Sequence, residues 1–162
     1  MVRVLVVVVL LAACSGSPGG PTINNKIDQG LQPTPARDSV ESADILAREP
    51  VADNAQIKHI LIGWNESGDD GHRDPRAAKR TKKDAEDEVR ALLAQIKGGA
   101  DFDELMKQNS EDPGSASSGR AYAVAPDAQL VIEFKELGLR LKIGEVGVVQ
   151  SEYGFHIMKR VE

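Results

Sequence analysis

One cysteine, Cys14, in 162 residues excludes an intramolecular disulfide framework, a four-cysteine zinc site and a Cys-x-x-Cys redox pair. Aromatic residues are scarce as well. All six (Trp64, Phe102, Tyr122, Phe134, Tyr153 and Phe155) lie beyond residue 63, so the first third of the chain has little with which to build an aromatic core. The one unbroken apolar run, Val4 to Ala13, is ten residues long, against the ~20 that a membrane-spanning helix needs. Positive charge is in deficit, with 20 Lys and Arg against 25 Asp and Glu, and the net charge of −5 argues against binding nucleic acid by general phosphate attraction. The three histidines, His59, His72 and His156, show no metal-ligand spacing, and no metal or cofactor is expected. No internal repeat is visible, and the length suits one modest domain.

What is present begins with Arg3, the apolar run and then Leu11-Ala12-Ala13-Cys14. A positive start, a short apolar stretch and small residues before a cut site make an export signal. The four residues at the cut resemble the lipobox of bacterial lipoproteins. The resemblance implies cleavage after residue 13 and lipidation of Cys14; the alternative is an ordinary cleaved signal with a chance cysteine. Ser15 after the cysteine implies an outer-membrane address facing the periplasm in a host that has one, and a cell-envelope location otherwise. Two or more acyl chains make a stable anchor, since each buried CH2 contributes ~0.8 kcal/mol. From residue 14 to 54 the chain holds five of its eight prolines and no aromatic residue, the composition of a flexible tether. Within it, Asp38 to Glu49 has the apolar spacing of a short helix, either docked on the domain or transient.

Order is expected from residue 55 to 162. Ile57 to Ile62 is rich in β-branched residues and stops at Gly63, as a buried strand does. Asp74-Pro75 predicts a helix start, and Ala78, Ala85, Val89, Leu92, Leu93 and Ile96 form one apolar face that ends at Gly98-Gly99. Lys79, Arg80, Lys82 and Lys83 read as its solvated first turns, with Lys82/Glu86 and Lys83/Asp87 pairs four apart. A second short helix opens at Asp101 and buries Phe102, Leu105 and Met106. Ser110 to Gly119 has loop chemistry throughout. A short strand over 121–125, a helix from Pro126 to about Leu139, and a hairpin of strands over 146–151 and 155–161 complete the order. The class is α+β, a small four-stranded antiparallel sheet surrounded by about four helices in the order β-α-α-α-β-α-β-β.

In that order, several segments resemble the parvulin family of peptidyl-prolyl cis-trans isomerases. Lys58-His59-Ile60-Leu61-Ile62 is similar to the family's first strand with its histidine. Gly98-Gly99-Ala100-Asp101-Phe102-Asp103-Glu104-Leu105 is similar to its Gly-x-x-Phe-x-x-Leu helix entry. Ser110 to Ala116 resembles the bacterial form of its active-site loop, and Gly144-Glu145-Val146 with Tyr153-Gly154-Phe155-His156-Ile157 its closing hairpin. The likeness runs from about Gln56 to Glu162. The chain departs from the family pattern at Ser118-Gly119-Arg120-Ala121-Tyr122, where Ala121 stands in place of a leucine and Tyr122 in place of a glycine.

The resemblance implies a parvulin-like fold and a prolyl isomerase without nucleophile, metal or cofactor. It implies a catalytic constellation of His59, Asp112 and His156, and substrate contacts from Ala121, Leu130, Phe134 and Tyr153. Strand alternation puts His59 on the side of Ile57 and Leu61, and His156 on that of Met158. The histidine pair either takes part in catalysis or holds tautomers and sheet geometry. Asp112 orients that pair, biases the substrate carbonyl, or merely caps the turn before Pro113. Leu130 and Phe134, four apart, are expected on one helix face. The loop after the first strand sets Asp69 and Asp70 beside Arg73 and Arg76, which disfavours selection of phosphorylated substrates, and His72 within it reads as surface. The expected partners are proline-containing polypeptides, exported and unfolded or partly folded. The alternative is a non-catalytic chaperone or adaptor that keeps the cup to bind proline-containing segments.

Overall fold

The computed structural model describes residues 39–68 and 73–162 of the chain. Four strands, β1 (Ala55–Ile62), β2 (Tyr122–Val124), β3 (Val146–Ser151) and β4 (Gly154–Arg160), form one antiparallel sheet in the order β2-β1-β4-β3. Helices α1 (Ala43–Leu46), α2 (Lys82–Lys97), α3 (Phe102–Asn109), α4 (Pro113–Ser118) and α5 (Ile132–Gly138) surround it. From β1 onward the order is the expected one, and the class is α+β.

Side chains alternate across a strand, and here both sides are covered. One face carries Ile60, Ile62, Val148, Phe155 and Ile157 against Val89 and Leu92 of α2 and Phe102 and Met106 of α3. The other carries Ile57, Val124, Val149 and Met158 against Phe134 and Leu137 of α5 and Ile45 of α1. Burying side chains of this size contributes ~1.5–3 kcal/mol each. The two histidines belong to the second face.

Four local features differ from the sequence-based expectation. Helix α2 starts at Lys82 rather than near Pro75, because Thr81 and Asp84 form a reciprocal capping box. Ahead of it Ala77–Lys79 makes a single 3-10 turn, which buries Ala77 in place of Ala78. Arg80 is extended there (φ −110°, ψ 136°) and turns inward, giving hydrogen bonds to the Gly63 carbonyl (2.7 Å) and Glu111 (2.7 Å). It is therefore a partly buried, paired cation and not part of a solvated face. Lys82 stands over the rings of Trp64 and Phe155, at 5.4 and 5.8 Å, while Lys83 makes the expected pair with Asp87 at 2.6 Å.

The Ser- and Gly-rich stretch after Glu111 is not loop throughout. Asp112 accepts hydrogen bonds from the backbone of Gly114 and Ser115, Pro113 occupies the first helical position, and Gly119 ends α4. Conversely, residues 126–130 form turns, and α5 begins only after Val131, whose backbone is extended. Val131 and Ile132 are both β-branched and enter a helix poorly. Leu130 thus precedes α5 and does not share its face with Phe134.

The fourth difference is at the start. Residues 39–54, which composition assigns to the tether, pack on the domain, the docked one of the two alternatives left open for the short helix over Asp38 to Glu49. Ser42 donates its N–H to the Val148 carbonyl (2.9 Å), while its hydroxyl accepts from Val148 N (3.0 Å); the Glu41 carboxylate accepts from Gln150 N (3.0 Å). Val40 packs against one core and Ile45 is buried in the other, so the segment straps the edge of β3. An edge strand presents unpaired backbone groups, and these are the groups the strap covers. The folded unit accordingly includes residues ahead of 55.

Candidate active site

The site grows from the β1–β4 register. Leu61 faces His156 and His59 faces Met158, so the two histidines are diagonal neighbours on one face. Their rings lie nearly parallel (13°), and the two Nδ1 atoms are 3.0 Å apart. Phe134 meets both edge-on, at 5.0 and 5.4 Å between centroids.

Asp112 is delivered by the segment before α4, which is stitched to the end of β1. Leu61 N donates to Ser110 Oγ (3.1 Å), and Glu111 N donates to the Leu61 carbonyl (2.9 Å). Asp112 Oδ2 then lies 3.0 Å from His59 Nε2. The same oxygen accepts from Ser115 N (3.0 Å), Ser115 Oγ (2.6 Å) and the Tyr122 hydroxyl (2.7 Å). At the far end, Ser151 Oγ is 2.7 Å from His156 Nε2 and accepts from Tyr153 N (3.1 Å).

Burial by itself raises the Asp112 carboxyl, but the hydrogen bonds from His59, Ser115 and Tyr122 outweigh it and hold the group well below the usual carboxylate range. Burial pushes the Tyr122 hydroxyl up to about 12, aided by its bond to Asp112. Burial, then the neighbouring His59, depress His156 to about 3. An ionised carboxylate only accepts, so His59 Nε2 carries a proton. A neutral imidazole at each position would let the donors run one way: Ser151 hydroxyl to His156 Nε2, His156 Nδ1 to His59 Nδ1, and His59 Nε2 to Asp112. Every member of this chain is satisfied, and no buried side-chain nitrogen or oxygen among the described residues lacks a partner.

Over the chain lies a cleft of about 320 Å³, lined by His59, Asp112, Tyr122, Leu130, Phe134 and Tyr153, among others. Its volume is at the low end for small-ligand sites. Leu130, Phe134 and Tyr153 thus line the same cleft as His59, Asp112 and His156. Ala121 does not join them. It borders a separate depression beside Gly114 and Arg120, because β2 pairs Tyr122 with Ile57 and so sends Tyr122 to the histidine side. Ser151, Ser115 and the Tyr122 hydroxyl are site groups that sequence reasoning missed. So is Glu111, whose side chain is 2% exposed and clamps Gly63 N (2.7 Å) and Arg80 (2.7 Å), tying the loop after β1 to the segment that carries Asp112. Cys14, Asp69, Asp70 and His72 lie outside the described residues. Among those described, no group of three or more His, Cys, Asp or Glu is placed to hold a metal ion.

The buried histidine gives a stability prediction. Below its ordinary value of 6.5, the unfolded chain takes up a proton at His156 that the folded chain refuses, so stability falls as pH drops from 6.5 towards about 3. By pH 5 the loss is on the order of 2 kcal/mol. Asp112, depressed when folded, adds a further loss only below its ordinary 3.8. Urea midpoints at pH 7 and pH 5 should show the first loss, and His156→Gln should flatten it.

Comparison with known proteins bears on the same residues. The family model described as PPIC-type PPIASE domain matches residues 43–162. A probable parvulin-type peptidyl-prolyl cis-trans isomerase of Bordetella pertussis is 35% identical over 122 residues, covering 72% of this chain and 45% of that protein. The foldase protein PrsA of Geobacillus kaustophilus is 40% identical over 85 residues, covering 52% of this chain and 30% of that one. The chain therefore spans less than half the length of these curated relatives. Among solved structures, the peptidyl-prolyl isomerase ESS1 from Candida albicans superposes with a TM-score of 0.58 at 22% identity, over 68% of this chain and 63% of that one, a likeness of fold.

Proposed function

The chain belongs to the parvulin, or PPIC-type, family of peptidyl-prolyl cis-trans isomerases, and from that premise we propose that it accelerates cis-trans exchange at Xaa-Pro bonds of exported polypeptides that are unfolded or partly folded. Rotation about a peptide bond has a barrier of ~18–20 kcal/mol because amide resonance must be broken. At proline the cis and trans states differ by only ~0.5–1 kcal/mol. Uncatalysed exchange takes ~10–100 s at 25 °C, slow enough to limit folding.

The observation that carries the reading is the continuous Asp112–His59–His156–Ser151 chain of contacts at the floor of an apolar cleft. In the twisted transition state the carbonyl oxygen loses negative charge and the ring nitrogen regains its lone pair. A cup formed by Leu130 and Phe134 takes the proline ring out of water. His59 and Asp112 present a fixed polar wall to the less zwitterionic amide, and because the wall is already organised it need not rearrange during the step. Tyr153, 47% exposed at the rim, contacts the residues flanking proline. No covalent intermediate is needed.

The test is an isomerisation assay on Xaa-Pro peptides with varied residues before proline. We expect turnover well above the thermal rate, and a loss of about tenfold in kcat/KM for Leu130→Ala, which truncates a half-buried wall of the cup. Peptide binding without turnover would instead support the second reading, a chaperone or adaptor, which the Tyr122 side chain in the cleft wall favours.

We further propose that the protein works from the cell envelope, anchored through lipid on Cys14, on the outer membrane facing the periplasm where the host has one. A Cys14→Ser protein should leave the membrane fraction; quantitative retention there would contradict acylation.

A further inference from the structure

We propose that the Tyr122 hydroxyl is the brace that aligns Asp112 on His59, making Tyr122 a positioning residue of the isomerase site, and that Gly114 is glycine because this hydroxyl needs the space. The kinetic part of this inference rests on the isomerase reading; the geometric part does not.

Asp112 Oδ2 has four donors, and they divide into two kinds. The Ser115 amide and hydroxyl belong to the same capping turn as Asp112. They fix the carboxylate within α4 but move with it, so they cannot place it relative to the sheet. Ser110 and Glu111 stitch the backbone of this segment to β1, but of the carboxylate's own four donors only His59, from β1, and Tyr122, from β2, come from the sheet. The Tyr122 ring is itself held edge-on to His59 (5.2 Å, 84°) and to Phe134 (6.0 Å, 67°), so its hydroxyl is a fixed donor. With the hydroxyl gone, the carboxylate keeps its turn donors and His59 but loses its side-chain tie to β2.

Gly114 supplies an independent observation. Its backbone is not among those with positive φ, so its conformation suits any residue. Yet a Cβ there would meet the Tyr122 oxygen at 2.7 Å, closer than such atoms approach, while the Asp112 oxygens would lie at an ordinary 3.5 Å. The side chain excluded at 114 is thus excluded by the hydroxyl at 122.

The groups facing Asp112 are His59 on β1, Tyr122 on β2 and, beyond His59, His156 on β4. Glu111, its chain neighbour, is engaged with Gly63 and Arg80 instead. Removing the Tyr122 donor therefore weakens the stabilisation of ionised Asp112, which moves its titration up in pH.

The experiment uses the full chain with Tyr122→Phe, Gly114→Ala and the double variant. Tyr122→Phe should lower kcat about tenfold with KM nearly unchanged. Gly114→Ala alone should produce a loss of similar size, and in the Tyr122→Phe background it should cost almost nothing more. A role in packing alone would make the two losses additive, and that result would overturn the proposal. Side-chain 15N shifts of His59 and His156 decide the matter even if the wild-type protein proves not to isomerise, an outcome that would sink the isomerase reading alone. Altered His59 shifts in Tyr122→Phe support the brace, and shifts identical to wild type overturn it.

Discussion

Asp112→Ala should lower kcat/KM for Xaa-Pro peptides by about a hundredfold and also weaken the fold. Two losses coincide at this residue. As the cap of α4 it satisfies the first backbone N–H groups of the helix, and removing such a cap costs ~1 kcal/mol. It is also the acceptor for His59 Nε2 and the Tyr122 hydroxyl, and each donor left buried without a partner adds ~1–3 kcal/mol. With the carboxylate gone, nothing requires His59 to carry its proton on Nε2, and the direction of the whole chain is lost. Asp112→Asn separates the two effects, because asparagine caps a helix about as well as aspartate. The asparagine variant should unfold close to wild type in urea and still isomerise poorly. If it retained full activity, the carboxylate charge would have no part in the reaction.

The largest effect on stability is expected at Gly154, which begins β4. Its φ is +142°, a conformation that side-chain-bearing residues rarely adopt, and a Cβ there would sit 2.5 Å from the Ile62 carbonyl oxygen and 3.0 Å from Gly63 Cα. Both obstacles are backbone, and Ile62 is held in place by its pairing with Phe155. Gly154→Ala should therefore destabilise by about 3 kcal/mol or more, read as a fall in the urea midpoint. Gly99→Ala is the matched control. That glycine also has positive φ (+92°) but nothing lies within 4 Å, so only the conformational cost of ~1 kcal/mol should appear. Equal losses at the two positions would mean that the approach to Ile62 is not what demands glycine at 154.

The family resemblance singled out the two histidines, and strand alternation, which is local, gave each its side. His59 shares a side with Leu61, and pairing Leu61 with His156 brings the second histidine to the same face. The expectation for Ala121 failed where locality ends. Which residue of a three-residue strand enters the cleft depends on register, and the Ile57–Tyr122 pairing is set by tertiary contacts. Ser151 was hidden for the same reason, since its approach to His156 depends on how the β3–β4 hairpin closes. Arg80 looked solvated because a row of basic residues gives no sign that one of them turns inward to a buried glutamate 31 positions away. Helix α4 was concealed by its serines and glycine, whose weak propensity is overcome by a cap, a proline and a stop. The strap had the opposite disguise, since two apolar anchors, Val40 and Ile45, are few among the prolines around them.

The strap also determines how the domain bears mechanical load. Tension on the chain ahead of residue 39 enters the fold through the Glu41 and Ser42 hydrogen bonds to β3 and through the seat of Ile45. Those bonds lie side by side along one strand, and the last residue of that strand, Ser151, holds His156. Resistance to a steady pull is set by an unfolding rate rather than by equilibrium stability. The joint through which such a load enters is thus within three residues of Ser151, on the strand whose end holds His156.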